Sequence, residues 1–317
     1  KEFCQYSKEL MDLINVTMGD NFLYGNVLYK NKSKSGQRWD CGTVKDVDFD
    51  GNRDSVSSQI NQDYQNILQT QGVRCLQHFL NPQTDIFLLS SSGVKPTLFG
   101  DMKSYKFPKQ FKDLDGLHKH VTWVGMQGNI LTRTFTLLPL LEKDSVTCEM
   151  TIVRTEVNDG KQYMLYFQMK FEKIKNVHIK IECIQKVLSN IKQYVRVTID
   201  MRQGSTNLEF DQHNYLLLPA ISFQTDLNLK TIMQTHIPKL FETGQLKNFY
   251  NRKDTLYEMR MCEYFTNVGK DCEEGTLPSE NEMTYIDEPF IFTLVDKQTG
   301  ILLKTGTYLR PEVNKTQ

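Results

Sequence analysis

Seven cysteines, at positions 4, 41, 75, 148, 183, 262 and 272, are the residues of this 317-residue chain most able to do chemistry. No two of Cys4, Cys41, Cys75, Cys148, Cys183, Cys262 and Cys272 form a Cys-x-x-Cys pair, and none stands at metal-ligand spacing from a histidine, so no zinc site is expected. His118 and His120 lie two apart, where a strand would turn both imidazoles to one face. Two imidazoles do not complete a metal site, and the pair reads as exposed loop histidines. A nucleophile elbow of the GxSxG kind, a zinc-binding HExxH, a phosphate-cradling GxxxxGK[ST] and a GxGxxG are all missing from the sequence. Carboxylates are plentiful, but no spacing selects a general acid and its base. The chain therefore reads as a protein without catalytic residues, cofactor or metal.

Composition narrows the partners. The net charge is zero, so nothing pulls the whole chain toward nucleic acid or a membrane, and an electrostatic partner must be met by a local patch. A run of about 18 apolar residues, which a membrane span requires, does not occur. Three N-x-S/T sequons, at Asn15, Asn31 and Asn314, favour a secreted glycoprotein. In an oxidising compartment some cysteines pair, and the odd count leaves one free or intermolecular. The start at Lys1, without Met, is consistent with a leader already removed. A single alanine, Ala220, and a large excess of Lys over Arg are the bias of an AT-rich genome, such as that of a large DNA virus or a parasite.

The elements that would hold a site alternate along the chain. Phe3, Tyr6, Leu10, Leu13 and Ile14 stand at helical spacing, giving a short amphipathic helix over residues 3–14. Phe22 to Tyr29 reads as a strand, and Lys30 to Arg38 as a basic, glycosylatable loop. From Arg53 to Gly72 the apolar positions Val56, Ile60, Tyr64, Ile67 and Leu68 predict the best helix, with Asp54 or Ser55 capping it and Gly72 ending it. Further strands are expected at Asp85–Ser90, Cys148–Val153, Tyr163–Met169 and Val177–Ile181, followed by a helix around Ile184–Ile191. Val195, Val197, Ile199 and Met201 alternate with polar residues as in a half-buried strand, and Asn214–Phe223 is a strand broken at Pro219. The Lys103–His120 segment interleaves Lys103, Lys106, Lys109 and Lys112 with Tyr105, Phe107 and Phe111, a candidate polyanion patch for a ligand such as a glycosaminoglycan. Sheets dominate, and no linker divides the chain, so one domain over 1–317 is expected.

Near the end, Phe290–Val295 and Ile301–Leu303 flank Asp296-Lys297-Gln298-Thr299-Gly300, a polar stretch closing on Gly, as in a hairpin. Both faces of the first run are apolar, so this hairpin is sandwiched between layers. The order Pro-Phe, apolar run, Asp-x-x-Thr-Gly, apolar run, Gly resembles the closing strands of the serpin family. Leu218-Pro219 with Phe223, then Leu229, Ile232, Ile237 and Phe241, is similar to the family's Leu-Pro-x-Phe, short helix and Ile-x-x-x-Phe. Asp48-Phe49 and Ile60-Asn61 loosely resemble the helix that lies across the family's main sheet, and Trp123 with Thr134-Phe135 its Trp before a Thr-x-x-x-Phe. The resemblance implies an α+β fold of large mixed sheets with surrounding helices. It departs from the family at the front, where helices and an Asn-x-x-x-Ser-Pro run have no counterpart, and at His236, where Gly is usual.

The resemblance also implies a bait loop that inserts into the main sheet after cleavage. Glu273-Glu274-Gly275-Thr276 looks like its acidic hinge. The following stretch, Leu277 to Glu288, spans at most ~40 Å when extended. It carries Pro278, which supplies no N–H, and Glu280 and Glu282, which would set like charges along one face. Such a loop is too short to serve as bait and unfit to insert. The expected function is therefore that of a secreted, non-inhibitory serpin-like protein that binds an extracellular protein, as a viral or parasite host-modulating factor would. Two alternatives stand beside it: a carrier of a small hydrophobic or peptide ligand, and a protease inhibitor working non-covalently through an exosite at Met283 or Tyr285.

Overall fold

A computed structural model describes residues 19–32, 43–76, 80, 84–137, 148–172, 174–200, 210–229, 231, 235, 256–269 and 272–311. The helix expected over residues 3–14, Cys4, Cys41, Asn15 and Asn314, and Ile232, His236, Ile237 and Phe241 of the upstream family match all lie outside these. The chain divides into two compact units, one of residues 1–95 and 222–266, the other of residues 96–221 and 267–317. Each is built from two separate pieces of chain.

The first unit holds a five-stranded sheet. Numbered in chain order, its strands are β1 (Phe22–Asn31), β2 (Thr43–Val47), β3 (Thr84–Val94), β11 (Ser222–Asn228) and β12 (Leu256–Thr266), arranged β11-β12-β3-β1-β2. Helix α1, Arg53–Leu68, packs on β1 and β3 and buries Val56, Ile60, Tyr64 and Leu68. This is the face that the i, i+4, i+8 spacing predicts. Its cap is Asn52, whose side chain accepts from the Ser55 amide, and it ends at Gln69 in the left-handed region, three residues before Gly72. Beneath it lie Tyr29, Phe87 and Leu89, all fully buried. Lys45 and Tyr29 both donate to Asp63, at 2.6 Å each, fixing the helix on the sheet.

The second unit holds an eight-stranded sheet, ordered β13-β10-β7-β8-β9-β14-β15, with β4 also paired to β7. Its strands are β4 (Lys103–Tyr105), β7 (Trp123–Leu137), β8 (Cys148–Val157), β9 (Gln162–Lys170), β10 (Asp211–Pro219), β13 (Met283–Tyr285), β14 (Phe290–Asp296) and β15 (Leu302–Tyr308). A two-residue pair, β5 (Phe111–Lys112) and β6 (His118–Lys119), stands apart. Every residue of β14 is buried, as two apolar faces require, and β14 lies between β9 and β15. Asp296 closes the turn by accepting from the Thr299 amide and hydroxyl, and Gly300 adopts φ 71°, which explains a glycine there.

Two expected strands are helices. Val177–Ser189 forms α2, capped by Asn176 accepting from the His178 amide, and Ile191–Asp200 forms α3. In α3 the buried residues are Ile191, Val195 and Thr198, spaced four and three, while Val197 is 40% exposed. The alternation of β-branched residues mimicked a strand, and packing against the sheet decided for a helix. Both helices cover β8, β9 and β14 through a core containing Ile152, Leu165, Phe167, Cys183, Val187 and Ile291. Pro219 ends β10, and the irregularity expected at it falls instead between His213 and Tyr215.

The Asn31 sequon lies at the end of a strand and not in the expected loop. Instead of opening a loop, Asn31 is the last residue of β1, 1% exposed, and its amide donates to Asp50 at 2.9 Å. A glycan on that nitrogen would break the bond and force the residue out of the core, so the folded protein should carry none at Asn31. Peptide mapping of protein from a secreting host cell checks this.

Candidate functional site

The hinge-like stretch and the lysine-rich stretch, about 170 residues apart in sequence, are bound to each other inside the second unit. The Ser104 amide donates to the Glu273 carbonyl at 2.8 Å, and the Gly275 amide donates to the Ser104 carbonyl at 2.7 Å. Together they make a parallel bridge between Ser104 and Glu274. The Ser104 hydroxyl also donates to Glu273, and the Cys272 thiol to the Met102 carbonyl. Only a glycine fits at 275: a Cβ there would stand 2.6 Å from the Tyr105 ring, and one at Gly125 would meet the other edge of that ring at 2.6 Å. Tyr105 is thus a wedge seated on two glycines, and the hinge is strapped to β4.

Downstream the strap continues. Glu280–Glu282 form a short 3-10 turn, with the Ser279 hydroxyl donating to Glu282 at 2.7 Å, and β13 then pairs parallel with β10. Leu277, Glu280 and Glu282 are exposed, Pro278 lies in the same tip, and Met283 is 9% exposed against Trp123 and Leu217. Tyr285 packs on Phe107, and the Lys109 ammonium lies over its ring at 3.7 Å and donates to its hydroxyl. The Lys112 amide donates to the Asp287 carbonyl at 2.8 Å, and the Trp123 indole to the Lys109 carbonyl at 2.9 Å.

The lysines of the suggested polyanion patch face this strap. Lys106 pairs with Glu274 at 2.7 Å, Lys109 with Asp287 at 3.5 Å and Lys112 with Glu288 at 3.2 Å. Among the described residues, Lys103 alone of the four makes no ion pair. The Lys106 pair is solvent-exposed and adds little to stability.

Glu288 is the electrostatically costly member. Burial raises its carboxyl above the ordinary 4.5, with Lys112 pulling it back. A raised value in the folded state means that ionisation costs stability, with the cost growing from about pH 4.5 to the folded-state value and constant above it. Glu288→Gln should therefore gain on the native protein as the pH rises from 4 to 7 and match it below 4.5. Urea midpoints across that range test this, and a variant that loses ground at pH 7 would reverse the sign.

Three cysteines remain thiols among the described residues, Cys148, Cys183 and Cys272, while Cys75 and Cys262 are joined. Cys148 is buried, and a hydrogen bond with the Cys183 thiol together with burial pushes its own thiol far above the ordinary range, the opposite of an activated nucleophile. His118 and His120 are exposed, and the His120 ring bonds to Gln110 at 2.8 Å. No cluster of three or more metal-ligating side chains occurs among the described residues. No described helix is long and apolar enough to cross a membrane.

This sheet order, with the closing hairpin β14–β15 inside the larger sheet and α1 laid across the smaller one, defines a serpin-like α+β fold. Among solved structures, uncleaved ovalbumin is similar at a TM-score of 0.63 and 13% identity, covering 95% of this chain and 81% of that one. Native protease nexin-1 with heparin is similar at a TM-score of 0.63 and 14% identity, covering 96% and 82%. No protein-family model and no curated protein matches the sequence.

Proposed function

We propose that this chain is a non-inhibitory serpin-like protein that acts outside the cell by binding another protein. The observation that carries the reading is the strap: the hinge backbone at Glu273 and Gly275 is already bonded to Ser104. A bait loop must leave the body, offer a scissile bond and then fold back into the main sheet. Here the stretch from Thr276 to Glu282 is all that stands between the Ser104 bridge and β13, and seven residues reach at most ~25 Å. The Tyr105 wedge on one side and the Lys109–Asp287 and Lys112–Glu288 pairs on the other hold the stretch down. A scaffold so held keeps its surfaces for recognition, and secretion would suit the Cys75–Cys262 bond. A host-modulating role for a viral or parasite product rests on composition alone.

A panel of serine and cysteine proteases incubated with the protein should yield no SDS-resistant covalent complex. Any such complex overturns the reading. Inhibition through an exosite has less support, since Met283 is buried and Tyr285 is engaged by Phe107 and Lys109. Glycosaminoglycan binding is a secondary proposal, suggested by the nexin-1 structure solved with heparin and opposed by the ion pairs on Lys106, Lys109 and Lys112.

A further inference from the structure

We infer that the Cys75–Cys262 disulfide is a covalent bar that keeps the five-stranded sheet from opening between β3 and β12. These two strands run parallel over ten paired positions, from Leu256 opposite Thr84 to Phe265 opposite Val94. They come from chain segments more than 160 residues apart, so no turn holds them together. An added strand running the other way would pair antiparallel with both, the more stable ladder, which makes this seam the natural place for intercalation. Opening it for one strand means moving β3 and β12 from about 4.8 Å apart to about 9.6 Å.

The bond ties the two sides of that seam. Cys262 lies in β12 opposite Ser91 of β3. Cys75 lies in the segment that follows α1, and this segment is tied to the helix: Gln65 donates to the Val73 carbonyl at 2.9 Å, and the Leu76 amide donates to Asn61 at 2.9 Å. The helix in turn is seated on β1 and β3, with Ile67 over Gly25 and Leu68 over Gly93 so closely that a Cβ at either glycine would lie within 3 Å. The Arg74 amide reaches the far side as well, donating to Gln224 of β11 at 3.3 Å. The two Cα atoms are 5.5 Å apart, and a disulfide spans no more than about 6.8 Å. Parting the seam by a strand's width would therefore strip residues 73–76 from α1. Both cysteines are fully buried, so the bond is a fixed bar and not a surface switch.

This inference needs neither the strap nor any partner, so it stands or falls separately from the proposed function. The test is amide hydrogen exchange on the full chain with and without Cys75→Ala plus Cys262→Ala. Beyond the acceleration that lower global stability gives every amide of the unit, the β3 and β12 amides should exchange at least tenfold faster still in the variant, with no such excess at β2 and α1. Acceleration without that excess at β3 and β12, or none at all, overturns the proposal. Should the variant not fold, the native chain treated with a dithiol reductant at low denaturant gives the same readout. There the dithiol breaks the bond into two thiols and leaves as a cyclic disulfide.

Discussion

Removing the Cys75–Cys262 bond should lower folding stability by at most about 5 kcal/mol, the chain-entropy limit for a cross-link of sequence separation 187. Native disulfides in practice contribute about 2–4 kcal/mol more often than the entropic limit, so the realistic expectation for Cys75→Ala with Cys262→Ala is a loss between these figures. Both sulfurs sit at zero exposure in the core shared by α1, Tyr29, Phe87 and Leu89, and truncation to Ala adds a small packing loss. Urea unfolding of the double variant measures this through the transition midpoint. A loss under about 1 kcal/mol would show that residues 73–76 and β12 are held together by packing alone.

The second large effect lies in the closing hairpin. Phe292 is fully buried in β14, opposite Gly306 of β15, and a Cβ built at Gly306 would stand 2.3 Å from its ring. Phe292→Ala should cost about 3–5 kcal/mol by leaving a cavity, and Gly306→Val should cost about 1–3 kcal/mol or more by overpacking. The two should not add. With the ring gone, the valine fills part of the space, so the double variant should be more stable than Phe292→Ala alone. Thermal unfolding of the three variants gives the coupling directly, and simple additivity would mean that the ring does not lie on Gly306.

These residues were within reach of the sequence because the hairpin states its own geometry: apolar on both faces, then Asp-x-x-Thr-Gly, then Gly again. The helix α1 was legible for the same reason, its spacing being long and regular. The helix α3 was not, since Val195, Val197 and Ile199 are β-branched and alternate like a strand. Only contact with the β8–β9 face selects Ile191, Val195 and Thr198 as the buried set. The same holds for Val177, Ile179 and Ile181 at the start of α2.

The candidate site was half legible. Sequence alone shows a hinge-like Glu273-Glu274-Gly275-Thr276 followed by too short a loop, and separately a lysine-aromatic stretch from Lys103. That the second is the anchor of the first could not be read, because no periodicity links residues so distant. Gly275 carries the signal in hindsight: it has no positive φ to explain it, and its reason is the Tyr105 ring. The disulfide partners were equally hidden, as seven cysteines leave many pairings open.

The most direct measurement is the thermal stability of protein nicked after Glu280 by a glutamate-specific protease. If the strap holds, the cut ends stay bonded to β4 and β10, and the unfolding midpoint of the nicked protein stays within about 2 °C of the intact one. If the freed segment can slot into the sheet, roughly ten new ladder hydrogen bonds would raise the midpoint by more than about 10 °C, and the account of a fastened, non-inserting loop would be wrong.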